Sequence, residues 1–291
     1  MNRFFAALAL VTLTMCSKVE APGAAQMQPT VSPSSRTTPA TESSTVPAVT
    51  DKNRTLPSDV ISTANGEVRL TPIQHATFLL EQGGHAIYFD PVTAVTGRGL
   101  PKADIVLITD IHSDHFDLAG IEAVRQPFTT IVAPPAVAER LPKNTPHLVV
   151  LRNGESRTVT TDASKGWSLE VEAVPMYNLT RGPTPGSLFH DKGRGNGYVL
   201  TLGARRFYVS GDTECTPEMK TLKGIDVAFV CMNLPYTMPP SEAAECVNAF
   251  KPKVVYPYHY RNSKLGELVN AVPKASGVEV RLREWYPQAS P

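Results

Sequence analysis

This chain is short of three things, and each shortage closes off a class of protein. It has no excess charge: 28 Lys and Arg face 27 Asp and Glu, and setting aside the first fifteen residues removes Arg3 and no acid, leaving 27 against 27. That balance exerts no pull toward nucleic acid or an anionic membrane surface, so no nucleic-acid partner is expected. Only four cysteines are present. With Cys16 set apart for the reason below, Cys215, Cys231 and Cys246 are an odd number and no disulfide framework. Cys231, closing the apolar run Val227-Ala228-Phe229-Val230, and Cys246, in a helical pattern, read as buried packing residues. Finally, the N-terminal apolar run, residues 4–15, is about a dozen residues long, where a bilayer-spanning helix needs roughly 20.

What the N-terminus does have is the pattern of an export signal. Met1-Asn2-Arg3 gives a basic start and residues 4–15 an apolar segment, so residues 1–15 are read as a signal peptide. Leu13-Thr14-Met15-Cys16 resembles a bacterial lipobox, followed by Ser17 and Lys18, which makes Cys16 the expected lipidation site. Met15 departs from the small residue usual there, and cleavage near Gly23-Ala24-Ala25 is the alternative. A diacyl-type anchor would supply the two chains that stable attachment takes. The expected location is the cell envelope, lipid-anchored and touching the membrane only through that anchor; the alternative is a soluble periplasmic or secreted protein. Residues 16–60 are rich in Pro, Ser and Thr, and residues 17–59 hold no aromatic side chain. Such a segment cannot bury enough apolar surface to offset its ordering entropy and reads as a disordered tether. At about forty residues, a flexible chain spans about 35–40 Å root-mean-square.

Residues 61–291 are left for one globular domain, which the whole-chain composition of 42% hydrophobic and 19% charged residues fits. Strands are expected at 68–70, 76–81 and 86–89, the last two joined across Gly83-Gly84. A strand over 105–109 leads to a helix over 117–125 with Asp117 as its N-cap. Further strands are expected at 130–133, 148–151, 169–174, 198–202, 206–210, 227–231, 254–256 and 278–282, with helices near 137 and over 241–250 and 264–272. Meandering strands followed by strand–helix alternation, twice over, is a two-sheet α/β pattern. No internal sequence repeat is apparent.

The chain is organised around Ile105-Val106-Leu107-Ile108-Thr109-Asp110-Ile111-His112-Ser113-Asp114-His115-Phe116-Asp117. It opens as an apolar strand buried on both faces and ends in a cluster of imidazoles and carboxylates. The carboxyl end of a buried strand is where α/β folds place their chemistry, and these groups are the ligands of Zn, Mn or Fe(II). Asp110-x-His112-x-Asp114-His115 resembles the H-x-H-x-D-H motif of the metallo-β-lactamase superfamily, with Asp for the first His. Further matches follow in order: His75-Ala76-Thr77-Phe78-Leu79-Leu80, Asp90-Pro91, Ser210-Gly211-Asp212-Thr213 and Tyr256-Pro257-Tyr258-His259-Tyr260. The resemblance covers roughly residues 67–284. Within the superfamily it looks most like the branch of N-acyl phosphatidylethanolamine phospholipase D and ascorbate-6-phosphate lactonase.

The resemblance implies a four-layer αβ/βα sandwich and a hydrolase in which water activated by a metal attacks an ester, lactone, amide or phosphodiester. It implies a second site of Asp114, His115, Asp212 and His259. It also implies a first site of Asp110, His112 and the bridging Asp212. The family's remaining His is missing: Asn178 stands at its place, and His190 either reaches in from the following loop or lies on the surface. Asp114 would also orient the water or accept its proton. Zn is the first expectation; an oxygen-rich first site shifts preference toward Mn or Fe(II), with one or two ions bound. His75, Asp90, Asn178 and Tyr260 are candidates for contacting substrate or bracing the ligands. Cys215, close after Asp212, is either packing or a soft neighbour of the metal. His85 and His147 read as surface residues.

The segment Lys192-Gly193-Arg194-Gly195-Asn196-Gly197 resembles a phosphate-cradling loop, but it precedes a strand and not a helix, so a dinucleotide site is excluded. It reads either as a basic loop gripping an anionic substrate group or as a plain solvent loop. A small-molecule or lipid substrate is expected. Phospholipase D-like phosphodiester cleavage is the nearer alternative, and a tethered non-catalytic binding protein on a decayed hydrolase fold the more distant one.

Overall fold

A computed structural model describes residues 56–161 and 166–286. The signal segment, the lipobox with Cys16 and the tether as far as residue 55 lie outside the described residues. Within them, two seven-stranded sheets follow one another along the chain. The first runs in the order β1 (Asp59–Thr63), β2 (Gly66–Gln74), β3 (Thr77–Gln82), β4 (His85–Phe89), β5 (Ile105–Leu107), β6 (Thr130–Ala133) and β7 (Leu148–Val150). The second holds β8 (Ser156–Thr160), β9 (Ser168–Met176), β10 (Gly195–Leu202), β11 (Arg205–Val209), β12 (Val227–Cys231), β13 (Val254–Tyr258) and β14 (Glu279–Val280), also in sequence order. In each sheet the first four strands pair antiparallel and the remaining links are parallel. Tight turns join β1 to β2, β2 to β3, β3 to β4 and β10 to β11, the long loop 177–194 joins β9 to β10, and each parallel link needs a crossover.

The central strands are apolar on both faces because both faces are covered. Phe78 and Leu80 of β3, Ile87 and Phe89 of β4, and Ile105 and Leu107 of β5 point into the core between the sheets. Leu79, Tyr88 and Val106 point the other way, where Ile121 and Val124 of helix α1 (Leu118–Val124) and Val137 of α2 (Pro135–Ala138) cover them. Behind the second sheet, α3 (Pro217–Lys220), α4 (Pro240–Phe250) and α5 (Leu265–Ala271) contribute Met219, Val247, Phe250 and Leu268. The result is the expected four-layer sandwich. Asp117 caps α1 as expected, its side chain accepting from Ala119 N.

Four readings of the sequence need correction. Cys215 and Cys246 form a disulfide, with Cα atoms 5.6 Å apart. It ties the segment after Asp212 to α4, so neither cysteine is simple packing, and Cys215 has no thiolate to offer a metal; Cys231 remains a free, buried cysteine. The sequence hides this bond because its partners are 31 residues apart and sit in unrelated patterns. His85 is half-buried, its ring stacked on Trp167 at 4.2 Å. Strand β8 had no apolar alternation to reveal it, since only Val159 is buried. Strand β1 begins at Asp59, inside the stretch read as tether, and Asp59 is held there by Tyr256 Oη at 2.7 Å and Arg283 at 2.6 Å.

Candidate metal centre

Five strand ends meet at one rim. Three residues follow directly on their strands in the left-handed region: His75 after β2 (φ 55°), Asp90 after β4 (φ 44°) and His259 after β13 (φ 50°). Non-glycine residues there are strained, and such strain gathers at functional sites because it turns a side chain off the strand's line. The long loop after β5 delivers Asp110, His112, Asp114 and His115. After β11, Gly211 makes the reversal that presents Asp212: its φ is 61°, and a Cβ there would sit 2.4 Å from Met176 Sδ.

Asp212 is the hub. Its Oδ2 lies 3.3 Å from both His115 Nε2 and His190 Nε2, and its Oδ1 lies 3.4 Å from His259 Nε2. Asp114 Oδ2 is 3.3 Å from His259 Nε2, and Asp114 Oδ1 3.9 Å from His115 Nε2. On the other side, Asp110 Oδ2 is 2.9 Å from His112 Nδ1 and 3.8 Å from His190 Nε2. His115 Nε2, His190 Nε2 and Asp212 Oδ1 are buried without a hydrogen-bond partner. Donors this close and not aligned on one another are aimed at a shared third point. Their spacing also matches an ion: donors about 2.0–2.1 Å from one tetrahedral cation stand about 3.3–3.4 Å apart. His115, Asp212 and His259 therefore fit one divalent metal, with Asp114 against His259 at its open side, and Asp110, His112 and His190, beside the same Asp212 oxygen that faces His115, surround another position.

The imidazoles are oriented from behind. His115 Nδ1 donates to Asp90 Oδ2 at 2.8 Å, and Thr109 fixes Asp90 through its N–H at 2.7 Å and its hydroxyl at 2.6 Å. This carboxylate–histidine pairing leaves Nε2 as the free lone pair. Asn178 does the same for His190. Its Nδ2 is committed to Glu214 and the Tyr236 carbonyl, so its Oδ1 must face His190, accepting from Nδ1 at 2.7 Å and from the backbone N–H at 2.8 Å. Asn178 thus stands behind His190 and does not face the centre. His75 Nε2 meets Asp114 Oδ2 at 3.0 Å, and its Nδ1 meets Tyr286 Oη at 2.6 Å. The Tyr260 hydroxyl turns away, donating to the Arg283 carbonyl at 3.2 Å.

The charged groups of the centre support one another. Burial opposes charge on His115, but Asp212 and Asp90 outweigh it and hold its pKa well above the usual imidazole value. Burial likewise opposes ionisation of Asp212 and Asp114, yet the surrounding imidazoles keep both well below the usual carboxylate range. Asp114 is the open member, 34% exposed where His115 is sealed. It faces a cleft of about 760 Å³ lined by Gln74, Tyr260, Arg261 and Glu284, and a second of about 340 Å³ lined by Phe189, Asn233 and Tyr236.

Two arginines belong here: Arg194, which the sequence gives only as part of a possible anion-gripping loop, and Arg261, which it does not single out. Arg194 forks onto both oxygens of Asp110, at 3.0 and 2.9 Å, and Lys192 pairs with Glu218. The loop read as a possible anion grip has therefore spent both cations within the protein. Arg261 borders both clefts, its Nε 3.4 Å from His75 Nε2. Its one sequence signal was a cation two residues after His259.

Comparison with known proteins agrees with this geometry. Residues 79–260 match the model of the beta-lactamase superfamily domain. A candidate metal-dependent hydrolase from Parabacteroides distasonis is 42% identical, covering 80% of this chain and all of its own, with a TM-score of 0.69. A UPF0173 metal-dependent hydrolase from Opitutus terrae is 29% identical over 67% of this chain and 86% of its own. The metallo hydrolase Igni18 from Ignicoccus hospitalis shares the fold at 23% identity over 76% of this chain and 96% of its own, with a TM-score of 0.60. The chain belongs to the metallo-β-lactamase superfamily, and its two-sheet sandwich is that superfamily's fold.

Proposed function

We propose that this metal-dependent hydrolase uses Asp114, His115, Asp212 and His259 to hold a divalent metal, Zn first and Mn or Fe(II) as alternatives, and cleaves an ester, lactone, amide or phosphodiester bond of a small-molecule or lipid substrate. The observation that carries this reading is the convergence of His115, Asp212 and His259 at the spacing of one cation, with Asp114 beside His259 and His115 braced by Asp90. A bound divalent cation would lower the pKa of water and polarise the bond under attack. Asp114, open to both clefts, orients the water and takes up its proton, and His75 fixes Asp114 through the same oxygen that His259 meets. Arg261 offers the substrate a positive charge at the cleft boundary. A decayed binding protein would have no reason to keep this set braced and aligned.

The test is removal of metal by a chelator, then assay against a panel of ester, lactone, amide and phosphodiester substrates with Zn, Mn or Fe(II) restored singly. Activity on one bond class that vanishes and returns with metal is expected; turnover indifferent to the chelator would refute the reading.

The same proposal places the protein in the cell envelope, anchored by lipid at Cys16. The lipobox-like run motivates this, and the Cys215–Cys246 disulfide supports an oxidising compartment. Cys16→Ala should move the protein from the membrane to the soluble fraction; unchanged membrane association would sink the anchor.

A further inference from the structure

In the proposed centre, a carboxylate stands where the superfamily motif has its first imidazole. Exchanging a neutral ring for Asp110 adds a negative charge at a side chain closed to water, where unpaired charge is costly. The protein answers that charge from its own sequence. Arg194 Nε and Nη2 take Asp110 Oδ1 and Oδ2, a two-point fork that matches guanidinium to carboxylate. Oδ2 still lies beside His112 Nδ1 at 2.9 Å and within 3.8 Å of His190 Nε2.

Taken together, the fastened pair has no net charge, as a neutral imidazole has none, yet it presents an oxygen to the two histidines. We infer that Asp110 and Arg194 act jointly as a neutral replacement for the missing imidazole, completing a site with His112 and His190 for a second, weaker divalent cation. This rests on the metal-centre reading above. Arg194 is a positioning residue: it acts through Asp110 and not on substrate. The second ion binds more weakly because the guanidinium draws on both oxygens of the carboxylate.

The backbone around Arg194 is built to keep it there. Asn196 N donates to the carbonyl of Thr109, the residue next to Asp110, at 2.9 Å. Asn153 holds the Gly195 carbonyl at 2.8 Å. A Cβ on Gly195 would come within 2.7 Å of the Thr109 carbonyl, so only glycine lets the loop lie this close. The arginine and its carboxylate therefore hang from two segments hydrogen-bonded to each other.

A four-corner cycle on the full chain tests the pairing: wild type, Asp110→His, Arg194→Gln and the double variant. Mn and Zn, each supplied alone, are titrated by equilibrium dialysis with elemental analysis, so the readout is affinity and not turnover. Wild type should take one tight ion and one weaker. Asp110→His should weaken the second ion about tenfold or more, because it leaves a guanidinium facing an imidazole and a cation. Arg194→Gln should then raise the affinity about tenfold more in the Asp110→His background than in the wild-type one. If Asp110→His fails to fold, Asp110→Asn repeats the cycle at constant side-chain size. The same factor for Arg194→Gln in both backgrounds would overturn the pairing, as would a wild type that takes one ion only. A wild type that takes none would overturn the metal-centre reading itself.

Discussion

Around Asp212 the centre has two sides. On one, His115 and His259 approach the hub at 3.3 and 3.4 Å, Asp90 braces His115 with a full negative charge, and no Lys or Arg among the described residues pairs with any of the four donors. On the other, His190 also approaches at 3.3 Å, but a neutral amide braces it, and Arg194 neutralises the neighbouring carboxylate. Spacing alone does not separate the two sides; residual charge does. Asp114 and Asp212 keep their charge available for a dication, whereas the charge of Asp110 is already matched. From this we expect a tight ion on the first side and a looser one on the second.

The largest way to break the comparison is to remove what both sides share. Asp212→Ala should abolish binding of both ions and with it hydrolysis, a loss beyond the about 10–100-fold that a residue behind a ligand costs; calorimetric titration reads it directly. Next, one imidazole from each side separates them: His115→Ala should lose the tight ion, and His190→Ala only the looser one. Equal losses in the two variants would erase the distinction. Behind the ligands, Asp90→Asn and Asn178→Ala should each cost about 10–100-fold in affinity on their own side, with elemental analysis showing which ion leaves.

Acid sharpens the contrast further. The pKa of metal-free His115 is held above the ordinary value by Asp212 and Asp90 against the effect of burial, so binding the tight ion must expel a proton whenever pH lies below that raised value. Affinity should then fall with decreasing pH by about tenfold per unit for each proton displaced, beginning above the about 6.5 of an unperturbed imidazole. Retention of full affinity down to that value would mean that the ion displaces no proton from His115. The smallest effect on the centre should come from the disulfide. Cys215→Ser should lower unfolding stability by about 3–4 kcal/mol, the loop-closure value for its span, while both ions stay bound; thermal denaturation with and without metal reads the two separately.

Much of this was legible in the sequence. The run 105–117 announced itself because a strand buried on both faces must be uniformly apolar, so an abrupt change to Asp and His stood out. The strands ending at Phe89, Val209 and Tyr258 showed for the same reason, and Asp90, Asp212 and His259 followed from them. What stayed hidden depends on distant partners. Nothing around Arg194 states that its guanidinium faces Asp110, 84 residues earlier. The role of Asn178 follows only from Glu214 and the Tyr236 carbonyl fixing its amide. Tyr286, which holds His75, lies 211 residues away from it, beyond every motif. Strand β1 was lost because Asp59 is held by side chains from the far end of the chain, not by an apolar pattern of its own.

Metal content measured beside turnover decides whether Asp114, His115, Asp212 and His259 hold one catalytic metal. Wild type, His115→Ala and His259→Ala would be purified without chelator, dialysed, analysed for Zn, Mn and Fe, and assayed on generic esterase and phosphodiesterase substrates. One tightly retained ion per wild-type chain is expected, with loss of both that ion and turnover in each variant. Full occupancy with undiminished activity in both variants would contradict it.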